Sequence, residues 1–199
     1  DSLKKEIAMK VREYGNLRAK TLYLGGGTPS ILNEECIKAI LKAFNDNYEF
    51  EDDAEISLEA NPDCLSFKYL DAIRKTGFNR ISIGAQSFDD TELKLLGRIH
   101  NSEQIVRAVK DARRAEFDNI SLDLMFGLPG QGKRSVLESL SRAAELAVNH
   151  ISFYGLVAEP GTPMKELSEK GELSFPSDEE YVEMYIEASN ELIRNGYKR

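Results

Sequence analysis

Apolar residues recur at Leu3, Ile7, Val11 and Tyr14, a spacing that places them on one face of a helix, and Gly15 supplies a stop. A short apolar run from Thr21 to Leu24 then reads as a buried strand. Strand and helix alternate from there. Asn33 caps a helix with Ile37, Ile40, Leu41 and Phe44 on its inner face. The pattern continues as strand Glu55 to Ala60, helix Ser66 to Thr76, strand Arg80 to Ala85, a short helix near Thr91 to Leu96 and a longer one from Ser102 to Glu116. Strand Ile120 to Phe126, helix Ser135 to Ala147, strand Ile151 to Val157 and a helix from the Ser177 cap to Ile193 complete it. Glu159 to Pro163 reads as a long irregular stretch with turn chemistry.

This alternation implies parallel βα units with right-handed crossovers, an α/β fold with about five parallel strands. An open doubly wound sheet and part of a (β/α) barrel both satisfy it. The polar residues favour the barrel. Gly26, Thr28, Glu59, Asn61, Gln86, Asp123 and Tyr154 fall toward the C-terminal ends of successive strands, where barrel enzymes gather side chains at one mouth. An open sheet would concentrate them at a single switch point. The expectation is an incomplete barrel.

A chain of 199 residues with 41% hydrophobic residues can bury one substantial core, so one domain is expected across residues 1–199. The net charge is -8, with both signs interleaved on helical faces, which argues against a nucleic-acid partner or an anionic membrane surface. No apolar stretch approaches the ~20 residues that span a bilayer, and a cytoplasmic protein is expected. Cys36 and Cys64 are far apart and indicate neither a disulfide framework nor a metal knuckle. The chain starts at Asp1 without a methionine and reads as a piece of a longer protein.

Candidate chemistry begins at Leu22-Tyr23-Leu24-Gly25-Gly26-Gly27-Thr28-Pro29-Ser30, where an apolar strand runs directly into three glycines, a hydroxyl and a proline. Glycine admits positive φ and exposes main-chain polar groups to a ligand, while Pro29 fixes φ. A second glycine loop, Gly127-Leu128-Pro129-Gly130-Gln131-Gly132-Lys133, matches the phosphate-binding spacing G-x-x-x-x-G-K between a strand and a helix. Arg134 stands where that motif needs Ser or Thr, which leaves a P-loop-like nucleotide-binding protein as a distant alternative. Glu59 and Asp123 are acids inside apolar strands, and burying a carboxylate costs several kcal/mol unless a partner offsets it. A cationic ligand group or Arg98 is the expected partner of Glu59; a structural ion pair is the plainer reading. Gln86 adds a donor and an acceptor at the same rim. His100 and His150 are read as surface or capping residues, and Tyr181, Met184, Tyr185 and Ala188 as a core stripe.

Four segments together resemble a known family, the radical S-adenosylmethionine (SAM) enzymes, and within it the oxygen-independent coproporphyrinogen III oxidases. They are Tyr23 to Ser30, Glu59-Ala60-Asn61-Pro62, Arg80 to Phe88, and Asp123 to Gln131. Leu96-Gly97-Arg98-Ile99-His100 and Glu159-Pro160-Gly161-Thr162-Pro163 look more like the haem-chaperone branch, HemW, than like the true oxidase. The resemblance implies a (β/α)6 TIM-like partial barrel whose first strand is missing here. It implies SAM and a [4Fe-4S] cluster as cofactors, with haem as a further ligand, and a radical SAM oxidoreductase as the enzyme class of the parent. Oxidative decarboxylation of coproporphyrinogen III and haem delivery are the two functions it offers. Porphyrinogen or haem and a flavodoxin-like electron donor are the implied partners, with membrane contact only through a haem acceptor.

By position, the resemblance gives Gly26, Gly27 and Thr28 the methionyl end of SAM and gives Glu59 its ammonium. It gives Arg98 the carboxylate, Gln86 and Asp123 the ribose hydroxyls, and the Val157 backbone the adenine. It also accounts for Gly127 to Lys133 as a barrel turn without a triphosphate. The family's cluster-binding C-x-x-x-C-x-x-C is expected before Asp1 and a further domain beyond Arg199. No metal ligand and no catalytic residue is therefore assigned to this chain, which alone is expected to be inactive.

Overall fold

A computed structural model describes residues 1–15 and 18–199. Its helices are α1 (Ser2–Tyr14), α2 (Glu34–Asn45), α3 (Phe67–Thr76), α4 (Asp90–Leu95), α5 (Ser102–Arg114), α6 (Lys133–Glu145), α7 (Pro163–Glu169) and α8 (Asp178–Arg194). Its strands are β1 (Arg18–Leu24), β2 (Glu49–Ala60), β3 (Arg80–Gln86), β4 (Asn119–Phe126) and β5 (His150–Gly155), ordered β1-β2-β3-β4-β5 in one sheet. Sequential order with helical crossovers is barrel-type topology. A doubly wound sheet would reverse direction at a switch point.

The residues group into two compact units, Asp1–Ile83 with Arg107–Ile120, and Gly84–Val106 with Ser121–Arg199. In the first unit β1 pairs in parallel with β2, and β2 with the start of β3. Register partners in a sheet share a face, so Leu58 and Ile81, with Ala60 and Ile83, form an apolar side in which all four are at most 5% exposed. Tyr23 with Ser57, and Glu59 with Ser82, lie on the opposite, polar side. In the second unit β4 pairs in parallel with β5. Phe126 stacks on Phe153 at 4.6 Å between ring centroids, and Tyr181 of α8 packs on Phe126 at the same separation.

The helices start where side chains satisfy free N–H groups. Asn33 accepts from the Cys36 N–H at 2.9 Å, Asp89 from those of Thr91 and Glu92 at 2.7 and 3.1 Å, and Ser177 forms a reciprocal box with Glu180. The tyrosine-bearing stripe on α8 is core as expected, with Met184 and Ala188 buried.

Three expectations are corrected, and a fourth is refined. On α1 only Ile7 of the predicted face is buried; Leu3 and Tyr14 are exposed. Strand β2 extends back to Glu49 through Phe50-Glu51-Asp52-Asp53, whose acidic, largely exposed character hides a strand from an apolar-run reading. The irregular stretch is present through Thr162, which caps α7, with Pro163 as the first residue of that helix. Strand β5 stops at Gly155, leaving Val157 beyond it and exposed.

Candidate functional site

The turn after β1 is built from three glycines that are needed for different reasons. Gly26 and Gly27 have φ of +81° and +63°, a region costly for residues with a Cβ, and open space lies where a Cβ would sit. At Gly25 the limit is space: a Cβ would fall 2.6 Å from Tyr23 Cε1 and 2.9 Å from Glu59 Cδ. The sequence pattern showed the glycines but not this division. Gly25 therefore joins the candidate residues as the one that admits Glu59 to the turn.

Glu59 is half-buried near the C-terminal end of β2. Tyr23 Oη donates to its Oε1 at 2.5 Å and the Gly26 N–H donates to its Oε2 at 2.9 Å. The carboxylate is thus oriented by a phenol and a backbone amide of its own unit. Two donors use only part of a carboxylate's roughly four acceptor positions. Thr28 and Ser30 continue the turn: Asn61 Nδ2 donates to Thr28 Oγ1 at 3.4 Å and the Asn61 N–H to Ser30 Oγ at 3.2 Å. Gly26, Thr28, Glu59 and Asn61 are accordingly brought together within the first unit.

Gln86, Arg98, Asp123 and Val157 belong to the second unit. Gln86 is 4% exposed, and Tyr154 Oη donates to its Oε1 at 3.0 Å, leaving the amide N–H donors for another acceptor. Its φ is +66°, and the Ser87 N–H reaches back to the Ala85 carbonyl at 2.9 Å. That is a γ-turn centred on a residue with a Cβ, the strained form of the turn. Such strain costs about 1–3 kcal/mol and persists where surroundings enforce it. Asp123 is half-buried and in register with Ser152, two residues before the pair Met125 and Tyr154. Arg98 follows Gly97, whose φ of +68° ends α4, and the Arg98 N–H donates to the Leu93 carbonyl at 2.9 Å.

His100 is corrected from a surface residue to a buried one, 3% exposed, with Nε2 3.3 Å from the Ala85 carbonyl. His150 is exposed at the start of β5. The glycine loop after β4 is packed against its own unit. A Cβ on Gly127 would lie 2.5 Å from Tyr181 Cε2, the Gly130 N–H donates to the Ser174 carbonyl at 3.0 Å, and Lys133 pairs with Glu183 at 3.2 Å. Its backbone and lysine are committed to protein groups, which does not favour a triphosphate cradle. A hollow of about 690 Å³ lies beside Val148, His150 and Leu192, at the N-terminal end of β5. Parallel α/β folds place ligands at the other end of their strands, so it is not the candidate site.

The thiols do not fit an iron–sulfur cluster. Cys36 is exposed on α2, whereas burial and then the hydrogen bond to Asp63 push the Cys64 thiol up, away from the thiolate that ligates metal. Among the described residues no three His, Cys, Asp or Glu side chains are grouped to hold a metal ion. The Glu59 set, in contrast, suits a cationic amino group: an oriented carboxylate beside bare backbone. Among the described residues no helix is long and apolar enough to cross a membrane.

A profile of the Radical SAM superfamily matches residues 2–143, and the chain belongs to that superfamily. Its fold class is the superfamily's partial (β/α) barrel: all of the chain superposes on the solved radical SAM coproporphyrinogen III oxidase HemN of Escherichia coli, with TM-score 0.86, 30% identity and 45% of that chain covered. It is similar to the heme chaperone HemW of Bacillus subtilis, 39% identical over 93% of this chain and 49% of the relative. It is also similar to the mitochondrial radical S-adenosyl methionine domain-containing protein 1 of Bos taurus, 36% identical over 98% of this chain and 44% of the relative. The chain therefore spans about half the length of these curated relatives. The likeness falls in the HemN/HemW-like part of the superfamily, as the motifs implied.

Proposed function

We propose that this chain is the SAM-binding core of a HemW-like protein that binds and delivers haem. The observation that carries the cofactor part is Glu59, oriented by Tyr23 and Gly26 at the glycine turn with acceptor positions to spare. Glu59 takes the ammonium of SAM, Gly26, Gly27 and Thr28 its methionyl end, and Arg98 its carboxylate as a planar two-pronged donor. Gln86 and Asp123 take ribose hydroxyls, the first through the amide N–H that Tyr154 leaves open. The Val157 backbone takes adenine.

When bound, SAM supplies radical chemistry through reductive cleavage of its sulfonium bond. The chain's residues hold and orient it, and the cluster is held by cysteines supplied outside residues 1–199. The relatives' greater length supports this, and an N-terminal cluster-binding strand and a C-terminal domain outside these residues are part of the proposal. Haem as ligand follows the HemW likeness; a flavodoxin-like donor and a cytoplasmic location accompany it.

The full overlap with HemN supports a second reading, oxidative decarboxylation of coproporphyrinogen III. One experiment separates the two. The full gene product, reconstituted without oxygen, is titrated with haem and separately supplied with coproporphyrinogen III, SAM and reductant. Stoichiometric haem binding without CO₂ release is expected; steady CO₂ release would establish the oxidase reading instead.

A further inference from the structure

The strained turn at Gln86 raises the question of what holds it, because nothing local to a glutamine favours φ of +66°. The residues that follow it are clamped from four directions. Ser87 Oγ donates to Glu92 Oε2 at 2.5 Å and accepts from the Asp89 N–H at 2.9 Å. The Phe88 N–H donates to Ser139 Oγ at 3.0 Å, and Arg142 donates to the Phe88 carbonyl at 2.9 Å.

Glu92 is the centre of this arrangement. It is 8% exposed on α4 and accepts three side-chain hydrogen bonds, from Ser87, from Gln131 Nε2 at 2.9 Å and from Ser135 Oγ at 2.5 Å. Gln131 in turn accepts from the Leu128 N–H at 3.2 Å, closing the loop after β4 onto the same carboxylate. A buried carboxylate that accepts from three protein side chains on separate segments is a joint, not a ligand site. It ties the loop after β3 to the loop after β4 and to the first turn of α6.

We propose that Glu92, with Gln131 and Ser135, is a positioning device that locks Ser87 and so enforces the γ-turn that aims the Gln86 amide. Its functional consequence rests on the reading of Gln86 as a SAM ligand. The role also explains the glutamine of the Gly127-to-Gln131 loop: it is a strut to Glu92, not a phosphate binder. None of the three is among the residues assigned to the cofactor.

The test measures amide exchange by mass spectrometry over residues 84–91 of the full gene product, with SAM affinity on the same preparations. E92A removes the acceptor from three donors, of which Ser87 and Gln131 are buried, and exchange in that peptide should rise about tenfold as the local opening becomes easier. SAM affinity should fall about tenfold with it. E92Q keeps one carbonyl oxygen for Ser87 and Gln131 and offers an N–H to a rotated Ser135 hydroxyl, so both readouts should stay within about threefold of wild type.

Folded E92A with wild-type exchange in this peptide overturns the proposal. So does fast exchange with undiminished SAM affinity where Q86A binds SAM weakly. Q86A that binds SAM normally refutes the cofactor role of Gln86 instead, and the exchange result then decides on the clamp alone. If E92A does not fold, S135A removes one donor and keeps the carboxylate, with about threefold faster exchange expected and no change overturning the proposal.

Discussion

Two glycine-rich turns, one after β1 and one after β4, look alike as sequence and differ in what occupies the space around them. After β1, Gly26 and Gly27 take positive φ with nothing near the missing Cβ atoms, and the adjoining Glu59 carboxylate is oriented but not saturated. After β4, Tyr181 sits against Gly127, Gln131 is buried on Glu92, and Lys133 is paired with Glu183. Glycine in the first turn leaves room for a ligand; in the second it leaves room for the protein itself. A glycine motif therefore acquires its meaning from what fills the vacated volume, which is set by residues far away in sequence.

The largest effect that would sharpen this contrast is at Tyr181. Gly155→Ala would place a Cβ on the Tyr181 hydroxyl, and Gly127→Ala would add a clash with its ring to a φ of +74°. Each should destabilise by about 2–3 kcal/mol, read as a fall in denaturation midpoint, through overpacking against the Tyr181 side chain. Full stability in both would mean that the second turn is as open as the first. Gly27→Ala should be milder: the space is open, so only the positive φ is penalised, about 1–2 kcal/mol. Its SAM affinity should drop more than its stability does.

A smaller effect concerns Tyr69, whose phenol is pushed up to about 12, first by burial and then by the neighbouring Cys64 and Glu34. The folded state holds that proton more tightly than the unfolded chain, so stability falls as pH rises from about 10 toward 12. Tyr69→Phe should flatten that alkaline limb. It should leave neutral stability unchanged or slightly improved, since the buried hydroxyl makes no hydrogen bond among the described residues. An unchanged alkaline limb in the variant would remove Tyr69 as its source. The smallest effect expected is none: calorimetry should detect no magnesium-ATP binding, and Lys133→Met should change nothing. Saturable ATP binding lost in that variant would reverse the comparison of the two turns.

Much of the fold was legible because the C-terminal halves of the strands are apolar runs and the helices carry their caps in sequence, as at Asn33 and Ser177. The acidic half of β2 was not legible, because an exposed strand segment carries no apolar run. Helix α7 has no buried residues, so it lacks a stripe, and only the Thr162-Pro163 start marked it. Within the site, Glu59 was legible as an acid in an apolar strand, but its partners were not, since Tyr23 lies 36 residues away. Glu92 was invisible for the same reason: it sits in a short polar helix, and Gln131 and Ser135 are 39 and 43 residues distant. His100 gave no signal beyond its residue type.

The central claim, that Glu59 at the open turn receives the SAM ammonium, is tested most directly by titrating SAM into the anaerobically reconstituted full gene product and its Glu59→Ala variant. Loss of a charged hydrogen bond of about 1.5–3 kcal/mol predicts roughly ten- to hundredfold weaker binding, with the cluster still loaded. Equal affinity in the two proteins would contradict it and return Glu59 to a structural partner of Tyr23 and Gly26.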